Sequence, residues 1–370
     1  MKMSGVIFSN IYDSCFGSLT SRRAASSIPF GGRYRMIDFI LSNMVNSDIS
    51  KIGVIAKYNY SSLMDHLHYA NDWDLERKHG GLYILPPFGD GNHTVYKGKM
   101  DALGNAALNF LKKSESEYVV VADSTVICSI DFSKVLKDHI KSGCDITCIA
   151  NREDFYDARL DLVFEEENGV VKDVLVDAVP KKNDLCGMGM FIMKRTDLLD
   201  VIEALSPKGC SSFEREFIQS SFYSDRISVN VYEYSDTVLR VSDIPSYYSN
   251  SMKLLKEEVR NAIFKPDVPI YTKIRNEAPS LHQEGSKVSN SIIADGCNIM
   301  GTVENSILFR GITVEPGAVI KNSIVMQGSV VEKNAFIDCA ILDKDVRITK
   351  NTNLKGAPRA PLIIDKGLTV

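Results

Sequence analysis

The sequence predicts an α/β domain with a mainly parallel, Rossmann-like sheet, followed by a parallel β-helix. Two observations lead to this prediction. Over residues 1–262, short apolar runs alternate with amphipathic stretches, which is typical of strands and helices around a parallel sheet. From residue 287 onwards, aliphatic residues recur every six positions, a period that fits neither a helix nor an ordinary strand. The 370 residues are enough for two such domains.

The first domain contains six predicted strands and seven predicted helices. The predicted strands are Met3–Phe8, Lys51–Lys57, Tyr118–Ala122, Asp145–Ala150, Met188–Met193 and Ser228–Tyr234. The predicted helices are Met36–Val45, Ser61–Tyr69, Met100–Lys112, Phe132–Ile140, Thr196–Ala204, Ser212–Ser220 and Tyr247–Ile263. In addition, Asn168-Gly169 separates two short apolar runs, which predicts a β-hairpin inserted into the α/β core.

The rest of the chain is predicted to form a linker, 263–286, and a β-helix domain, 287–370. The motif Asn-Ser-Ile begins at residues 290, 305 and 322, and a related Cys-Ala-Ile motif begins at residue 339. These units lie 15, 17 and 17 residues apart, which suits one coil of three short strands per unit. A single coil cannot bury its own aliphatic side chains, so the coils are expected to stack and to pack against another part of the chain.

The composition excludes several classes of protein. The chain carries 43 Lys and Arg against 47 Asp and Glu, a net charge of −4, without a basic tract, so nucleic acid and anionic membranes are not expected partners. No run approaches 18 apolar residues, and the first apolar run, Val6-Ile7-Phe8, is too short for a signal sequence. The eight cysteines contain no Cys-x-x-Cys pair and are expected to be reduced. We expect a cytoplasmic protein.

One segment carries a specific resemblance to a known family. Residues 29–43 read PFGGRYRMIDFILSN, which closely resembles the PFGGKYRIIDFPLSN segment of ADP-glucose pyrophosphorylases (glucose-1-phosphate adenylyltransferases). Trp73–Leu75, Gly81–Pro86, Tyr96–Ala102 and Met188-Gly189 follow in the order of the corresponding family motifs. The resemblance covers essentially the whole chain. It implies a nucleotidyltransferase-type α/β domain, a left-handed β-helix, a tetrameric assembly and a place in bacterial glycogen synthesis.

The reaction of this family joins glucose 1-phosphate to the α-phosphate of ATP and expels pyrophosphate. It needs a glycine-rich loop around the triphosphate, cationic side chains and a Mg²⁺ ion held by carboxylates. The family's loop pattern aligns without gaps with residues 7–32, and its three glycines fall on Asn10, Ile11 and Asp13. A β-branched residue resists the backbone angles that glycine adopts there, and Asp13 would repel a triphosphate. The loop is therefore expected to be structural.

The resemblance also indicates that cationic groups are missing. The family's catalytic arginine falls on Cys15, and the lysine of its RAKP motif falls on Ala25. The threonine of its YxGTADA motif is Lys99, although Tyr96 and Asp101 of that motif are retained as remnants of the substrate pocket. Without these charges, the chain is expected to be several orders of magnitude less active than an intact relative.

Only half of the family's metal site is present. Asp123, at the end of a predicted strand, matches the metal-binding aspartate, whereas the second ligand position falls on Pro245. Asp243 lies two positions too early to replace it. One carboxylate makes a weak Mg²⁺ site, so Asp123 is expected either to retain weak metal binding or to have a capping or structural role.

These losses resemble a regulatory, non-catalytic subunit that assembles with a catalytic homologue, in a heterotetramer. On this interpretation the chain itself requires no cofactor, and Mg²⁺ belongs to the catalytic partner. Arg22, Arg23, Arg33 and Arg35 lie at or beside the family's effector-binding positions, so they are expected either to bind phosphorylated metabolites or to form ion pairs at the domain interface. The alternatives are an active sugar-phosphate nucleotidyltransferase with altered loop chemistry and a hexapeptide acyltransferase. The latter needs a histidine among the coils, whereas the last histidine, His282, precedes the repeats.

Overall fold

The computed structural model describes residues 2–68, 70–77, 80–87, 96–152, 160–167 and 170–370. The strands of its first domain are β1 Met3–Phe8, β2 Pro29–Phe30, β3 Tyr34–Arg35, β4 Lys51–Ile55, β5 Gly81–Leu85, β6 Tyr118–Asp123, β7 Val126–Ile127, β8 Ile146–Arg152, β9 Val163–Glu167, β10 Val170–Leu175, β11 Leu185–Lys194, β12 Val229–Glu233 and β13 Leu239–Arg240. The α-helices are α1 Met36–Asn46, α2 Ser61–Leu67, α3 Lys99–Ala102, α4 Leu108–Lys112, α5 Phe132–Ser142, α6 Arg195–Leu205, α7 Ser220–Tyr223, α8 Ile244–Lys253 and α9 Glu257–Ile263.

A nine-stranded sheet forms the centre of the first domain. Its order is β10-β9-β11-β6-β1-β4-β5, with β8 beside β11 and β12 beside β8. β5, β4, β1 and β6 are parallel neighbours, whereas β11 is antiparallel to both β6 and β8. Every residue of β1 and β6 is buried, because helices cover both faces of the sheet and favour the continuous apolar runs of these strands. The α/β domain is therefore confirmed, with a parallel centre of β5, β4, β1 and β6 and antiparallel pairings around β11 and β9.

Local differences from the sequence prediction have identifiable causes. The hairpin strands β9 and β10 pair antiparallel as predicted, while their turn, Asn168-Gly169, and the last residue of one predicted helix, Tyr69, lie outside the described residues. The helix predicted over 247–263 is two helices, α8 and α9, and Arg260 of α9 donates hydrogen bonds to carbonyl groups at the end of α8. A π-helical turn, Leu103–Ala107, joins α3 to α4, and a second one, Glu214–Gln219, precedes α7.

The second domain is the predicted β-helix, with three parallel sheets of five strands each. The first sheet contains β14 Leu281–His282, β17 Asn298–Ile299, β20 Thr313–Val314, β23 Val330–Val331 and β26 Arg347–Ile348. The second contains β15 Lys287–Ser289, β18 Thr302–Glu304, β21 Val319–Lys321, β24 Phe336–Asp338 and β27 Asn353–Lys355. The third contains β16 Ile292–Ile293, β19 Ile307–Leu308, β22 Ile324–Val325, β25 Ala340–Leu342 and β28 Leu362–Ile364.

The structure gives the Asn-Ser-Ile motif a physical basis. The asparagines at 290, 305 and 322 have positive φ angles of 41–46°, which asparagine tolerates better than most residues. The hydroxyls of Ser291, Ser306 and Ser323 each accept a backbone N–H from the next coil at 3.1 Å. The coils begin earlier than predicted, because β14 lies inside the stretch assigned to the linker. His282 is therefore an exposed residue of the first coil rather than one that precedes the coils.

The two domains share one apolar core. Phe30 and Tyr247 of the first domain belong to the same buried cluster as Ile307 and Ile324 of the β-helix. At the edge of this interface, the Tyr248 hydroxyl donates to the carbonyl oxygen of Asn322 at 2.5 Å. The β-helix thus buries one side against the first domain, as expected for a short stack of coils. Among the described residues, no helix combines the length and apolar character needed to cross a membrane.

Candidate functional site

The candidate site lies at the carboxyl ends of β1 and β6, the edge at which parallel sheets bind ligands. Phe8 and Asp123, the last residues of these strands, are register partners. A cavity at this edge has fifteen lining residues among those that the structure describes, including Tyr12, Asp123 and Glu214, and about 60 Å³ of it is open to water. Pockets that bind small molecules are typically roughly 300–1,000 Å³ in volume. The volume open to water is thus small compared with that of a typical ligand pocket.

The loop after β1 is held by its own side chains. Asp13 Oδ1 accepts the backbone N–H of Ala25 at 2.7 Å, and Asp13 Oδ2 accepts a hydrogen bond from Asn10 Nδ2 at 2.6 Å. Asn10 Oδ1 in turn accepts the backbone N–H of Lys57 at 3.0 Å. Burial raises the pKa of Asp13, although both hydrogen bonds favour its charged form. The Asp13 carboxylate therefore accepts hydrogen bonds from donors of this loop. In the family that the chain resembles, the corresponding loop binds phosphate.

Lys99 lies at the centre of the site, at the start of α3. Its ammonium Nζ is 2.6 Å from Glu214 Oε1, 2.8 Å from Asp123 Oδ2 and 3.3 Å from Asp161 Oδ2. The Tyr12 hydroxyl donates to the Asp161 carboxylate and also lies 3.3 Å from Asp123 Oδ2. We refer to these five residues as the Lys99 cluster. Side chains from separate segments of the chain are thus held together by one buried ammonium group.

The electrostatics of the Lys99 cluster reflect its burial. Burial alone would lower the pKa of Lys99, but the charges of Asp123 and Glu214 outweigh it and raise the pKa well above the usual lysine value. Burial raises the pKa of Asp123 to about 7, and the nearby Lys99 charge opposes this rise. Lys99 is therefore expected to keep its proton at neutral pH, whereas burial makes Asp123 easier to protonate than an exposed aspartate.

The residues present do not fit the Mg²⁺ site of the family. Asp123 is bonded to Lys99, and Pro245 lies within the first turn of α8, where it offers no ligand. Asp243 is the N-cap of the same helix, and its carboxylate accepts the backbone N–H of Ser246 at 2.8 Å. Across the parts of the chain that the structure describes, no group of three or more His, Cys, Asp or Glu side chains is arranged to hold a metal ion.

The remaining predicted site residues have ordinary structural positions. Asp101 accepts the backbone N–H of Lys97 and the side-chain amide of Asn105, so it stabilises the start of α3. Tyr96 is buried, and the ammonium of Lys57 lies 5.5 Å from its ring centroid. Ile11 packs against the apolar core as a partly buried residue. Cys15 is an exposed free thiol, which offers no positive charge to the loop.

Three members of the Lys99 cluster could not be found from the sequence. Tyr12, Asp161 and Glu214 match no motif, and they lie 87, 62 and 115 residues from Lys99 in the chain. The one indication is that Lys99 begins a helix beside buried apolar residues, where a charged side chain needs partners of opposite charge. Which carboxylates supply them depends on how the strands and loops meet.

A second site, the basic pocket, lies where the two domains meet. Its cationic residues are Arg33, Arg35, Lys273, Arg275, Arg310 and Lys344. Arg310, Gln327 and Lys344 occupy equivalent positions in three successive coils, 17 residues apart, so the β-helix repeat stacks them along one side. The Nε of Arg310 is buried without a hydrogen-bond partner among the described residues. Burial and the neighbouring Arg35 lower the pKa of Lys344 to about 7.

The four arginines predicted for effector binding separate into three environments. Arg33 and Arg35 line the basic pocket, and Arg35 also donates to the Ser62 hydroxyl at 3.1 Å. Arg23 is buried and forms a two-pronged ion pair with Asp343 of the β-helix, both contacts at 2.8 Å. Arg22 is exposed and does not line the basic pocket. Arg23 is thus one of the interface ion pairs that the sequence left as an alternative.

Comparison with known protein families gives one match in each of the two domains. Residues 16–158 match the family described as "Nucleotidyl transferase", and residues 277–358 match the family described as "GlmU-like, C-terminal hexapeptide". The match agrees with a left-handed β-helix for the second domain. Both matches thus coincide with the two domains seen in the structure.

The similarity to individual relatives extends along nearly the whole chain. The glycogen biosynthesis protein GlgD of Bacillus subtilis (strain 168) is 38% identical over 99% of this chain and 96% of its own length. GlgD of Geobacillus stearothermophilus is 35% identical with the same coverage. The glucose-1-phosphate adenylyltransferase of Bacillus anthracis is 31% identical over 83% of this chain and 82% of its own. The chain belongs to the glucose-1-phosphate adenylyltransferase family, and it is similar along its whole length to the proteins named GlgD.

Proposed function

We propose that this chain is a regulatory, catalytically impaired subunit of glucose-1-phosphate adenylyltransferase, which acts in glycogen biosynthesis by modulating a catalytic homologue in a hetero-oligomer. Its relatives include proteins named for glycogen biosynthesis and proteins named for the adenylyltransferase activity. On this proposal the chain needs no cofactor of its own, and Mg²⁺ acts in the catalytic subunit.

The observation that carries this proposal is the position of Asp13. A triphosphate in this loop would have to displace the Asp13 carboxylate from Ala25 and Asn10, and its own charges would then face that carboxylate. Cys15 and Ala25 supply no opposing positive charge. Since each lost charge-stabilising group commonly costs about 10²–10³ in rate, the combined loss suppresses turnover strongly even where the losses are not additive.

The basic pocket supports a regulatory role. Six cationic side chains surround it, and no carboxylate is among its described lining residues. Such a concentration of positive charge suits a phosphorylated metabolite, since arginine binds phosphate through paired hydrogen bonds. Arg33, Arg35 and Arg310 are the residues we propose to contact the effector. Arg23 is excluded because its guanidinium is committed to Asp343.

The test of impaired catalysis compares the purified chain, a catalytic homologue and their mixture for ADP-glucose formation. The isolated chain should be several orders of magnitude slower than the homologue, and mixing should change the maximal rate or the effector response of the homologue. Calorimetry with ATP and Mg²⁺ should show no tight binding to the isolated chain. Turnover by the isolated chain at the homologue's level would favour the alternative, an active nucleotidyltransferase with altered loop chemistry. Unchanged kinetics on mixing would exclude the regulatory role.

The test of the effector site uses variants of this chain in the mixed enzyme, with inorganic phosphate and sugar bisphosphates as probes. Arg33→Ala and Arg310→Ala should weaken activation by at least about tenfold in effector concentration, because each removes a charged hydrogen-bond donor. Arg22→Ala is the matched control, since Arg22 is an exposed arginine outside the pocket. Size-exclusion chromatography should show that the assembly is intact. Equal effects of all three substitutions would contradict the assignment.

A further inference from the structure

The basic pocket gathers positive charge from both sides of the domain interface. Two of its cationic residues belong to the first domain, two to the segment that joins the domains and two to the β-helix: Arg33, Arg35, Lys273, Arg275, Arg310 and Lys344. Within the described residues, none of these six side chains forms an ion pair. Arg23, in the same interface, is by contrast paired with Asp343. The pocket therefore lacks the counter-charge that Arg23 has.

Arg310 is the clearest case of this imbalance. It is only 7% exposed, and its Nε is buried without a hydrogen-bond partner among the described residues. Burial lowers the pKa of Arg310 below the usual arginine value, and the charges of Arg33 and Arg275 add to this effect. Asp295 and Glu277 oppose it, but within the described residues neither forms an ion pair with Arg310. A buried charge without a paired counter-charge destabilises the folded state.

Like charges act on each other across the interface at two places. Arg33 of the first domain faces Arg310 of the β-helix, and Arg35 faces Lys344. Burial, and then the charge of Arg35, lowers the pKa of Lys344 to about 7, although Asp343 opposes this change. Such repulsion opposes the shared apolar core, which holds the two domains together. A negative charge among these side chains would therefore favour the contact between the domains.

We infer that a multiply charged oxyanion in the basic pocket acts as an interdomain clamp, which neutralises cations of both domains and tightens the contact between the first domain and the β-helix. This inference rests on the proposed function and says how an effector bound there acts on the chain. Arginine side chains from the two domains can each hold oxygens of one anion through paired hydrogen bonds. About 20 Å³ of the pocket is open to water, roughly the room of one water molecule. The anion therefore enters as the long side chains swing outwards, and it then links them.

The first experiment measures urea unfolding of the full-length chain in sodium chloride and in sodium sulfate of equal ionic strength, at about pH 6, where Lys344 keeps its proton. In chloride, Arg310→Met should raise the folding equilibrium constant at least about fivefold, because it replaces an unpaired buried charge by an apolar side chain. Sulfate should stabilise wild type at least about threefold more than Arg310→Met. Lys321→Met is the matched control, since Lys321 is a half-exposed lysine of the β-helix paired with Glu304. It should gain no stability in chloride and should keep the wild-type response to sulfate.

The second experiment follows amide hydrogen exchange of the wild-type chain with and without inorganic phosphate. Residues 29–35 form the part of the first domain that packs against the β-helix through Phe30, whereas β12 is an edge strand that does not line the basic pocket. Phosphate should slow exchange over 29–35 by a larger factor than over β12, because the clamp acts on the interface rather than on the whole chain. Calorimetry of the same samples measures whether phosphate binds.

Each outcome decides the inference. A folded Arg310→Met that is less stable than wild type in chloride would overturn it, and so would equal slowing of exchange over 29–35 and β12. If Arg310→Met does not fold, Lys344→Met takes its place with the same expected signs, and the exchange experiment needs no variant. Phosphate that binds without protecting the interface contradicts only the clamp. Absence of phosphate binding contradicts the clamp and the effector site together, whereas the regulatory role is tested separately by mixing with the catalytic homologue.

Discussion

Removal of Arg23 should destabilise the protein far more than removal of an exposed cation. The Arg23–Asp343 pair joins the loop after the first strand to the fourth coil of the β-helix, and both side chains are only 4% exposed. In Arg23→Ala the Asp343 carboxylate stays buried and loses both 2.8 Å contacts to the guanidinium. Breaking a buried ion pair in this way costs about 3–5 kcal/mol of unfolding free energy.

Three further variants isolate the origin of this loss. Asp343→Ala should cost a similar amount, whereas the double variant Arg23→Met with Asp343→Leu should recover most of the stability, because it leaves no unpaired charge. Lys321→Ala is the matched control, since Lys321 and Glu304 are also 2.8 Å apart but each is 38% exposed. That exposed pair should contribute only about 0–1 kcal/mol.

Urea unfolding is followed by two probes that report different parts of the chain. Fluorescence reports the first domain, because the only tryptophan, Trp73, lies there, and circular dichroism reports both domains. Arg23→Ala should shift both transitions, since the ion pair crosses the interface. A free energy of unfolding within about 1 kcal/mol of wild type, as for Lys321→Ala, would refute the assignment of this pair as a buried interdomain contact.

Three other predictions concern the basic pocket and the candidate site. Calorimetry should show that sulfate, which keeps its double charge between about pH 6 and 8, binds the basic pocket more weakly as the pH rises. The reason is that Lys344, whose pKa is about 7, loses its proton over this range, so the affinity of Lys344→Met should depend less on pH. Gly189→Ala should lower stability in urea by at least about 2 kcal/mol, because its Cβ would clash with Asp123, against about 1 kcal/mol for Gly209→Ala, which has open space at a similar φ. Asp13→Ala should lose about 1–3 kcal/mol in the same assay, because it leaves the buried N–H of Ala25 without an acceptor and removes one of the two acceptors of Asn10 Nδ2, and an unchanged stability would contradict the described loop.

The fold was predictable because it rests on periodicities that are local in the sequence. The six-residue aliphatic repeat identified the β-helix, and the isoleucines of the Asn-Ser-Ile motif begin strands of its third sheet. The boundaries were less certain, because short strands such as Leu281–His282 have little apolar content of their own and form only by pairing with the next coil. The split between the last two helices of the first domain is accompanied by a local contact, in which Arg260 donates to the carbonyl oxygens of Leu254 and Leu255.

The sequence by itself determined which residue types are absent from the family motifs, because a motif is a set of neighbours along the chain. It could not determine what takes their place. Asp13 is predicted to repel a phosphate, but only the folded loop shows that it accepts the N–H of Ala25 instead. In the sequence, Lys99 is seen only as a replacement for the threonine of a family motif. The sheet and its connections bring Asp161 and Glu214, 62 and 115 residues away in the chain, to its ammonium. Charge pairing depends on distance in space, and these groups come within a few ångströms of one another only when the chain has folded.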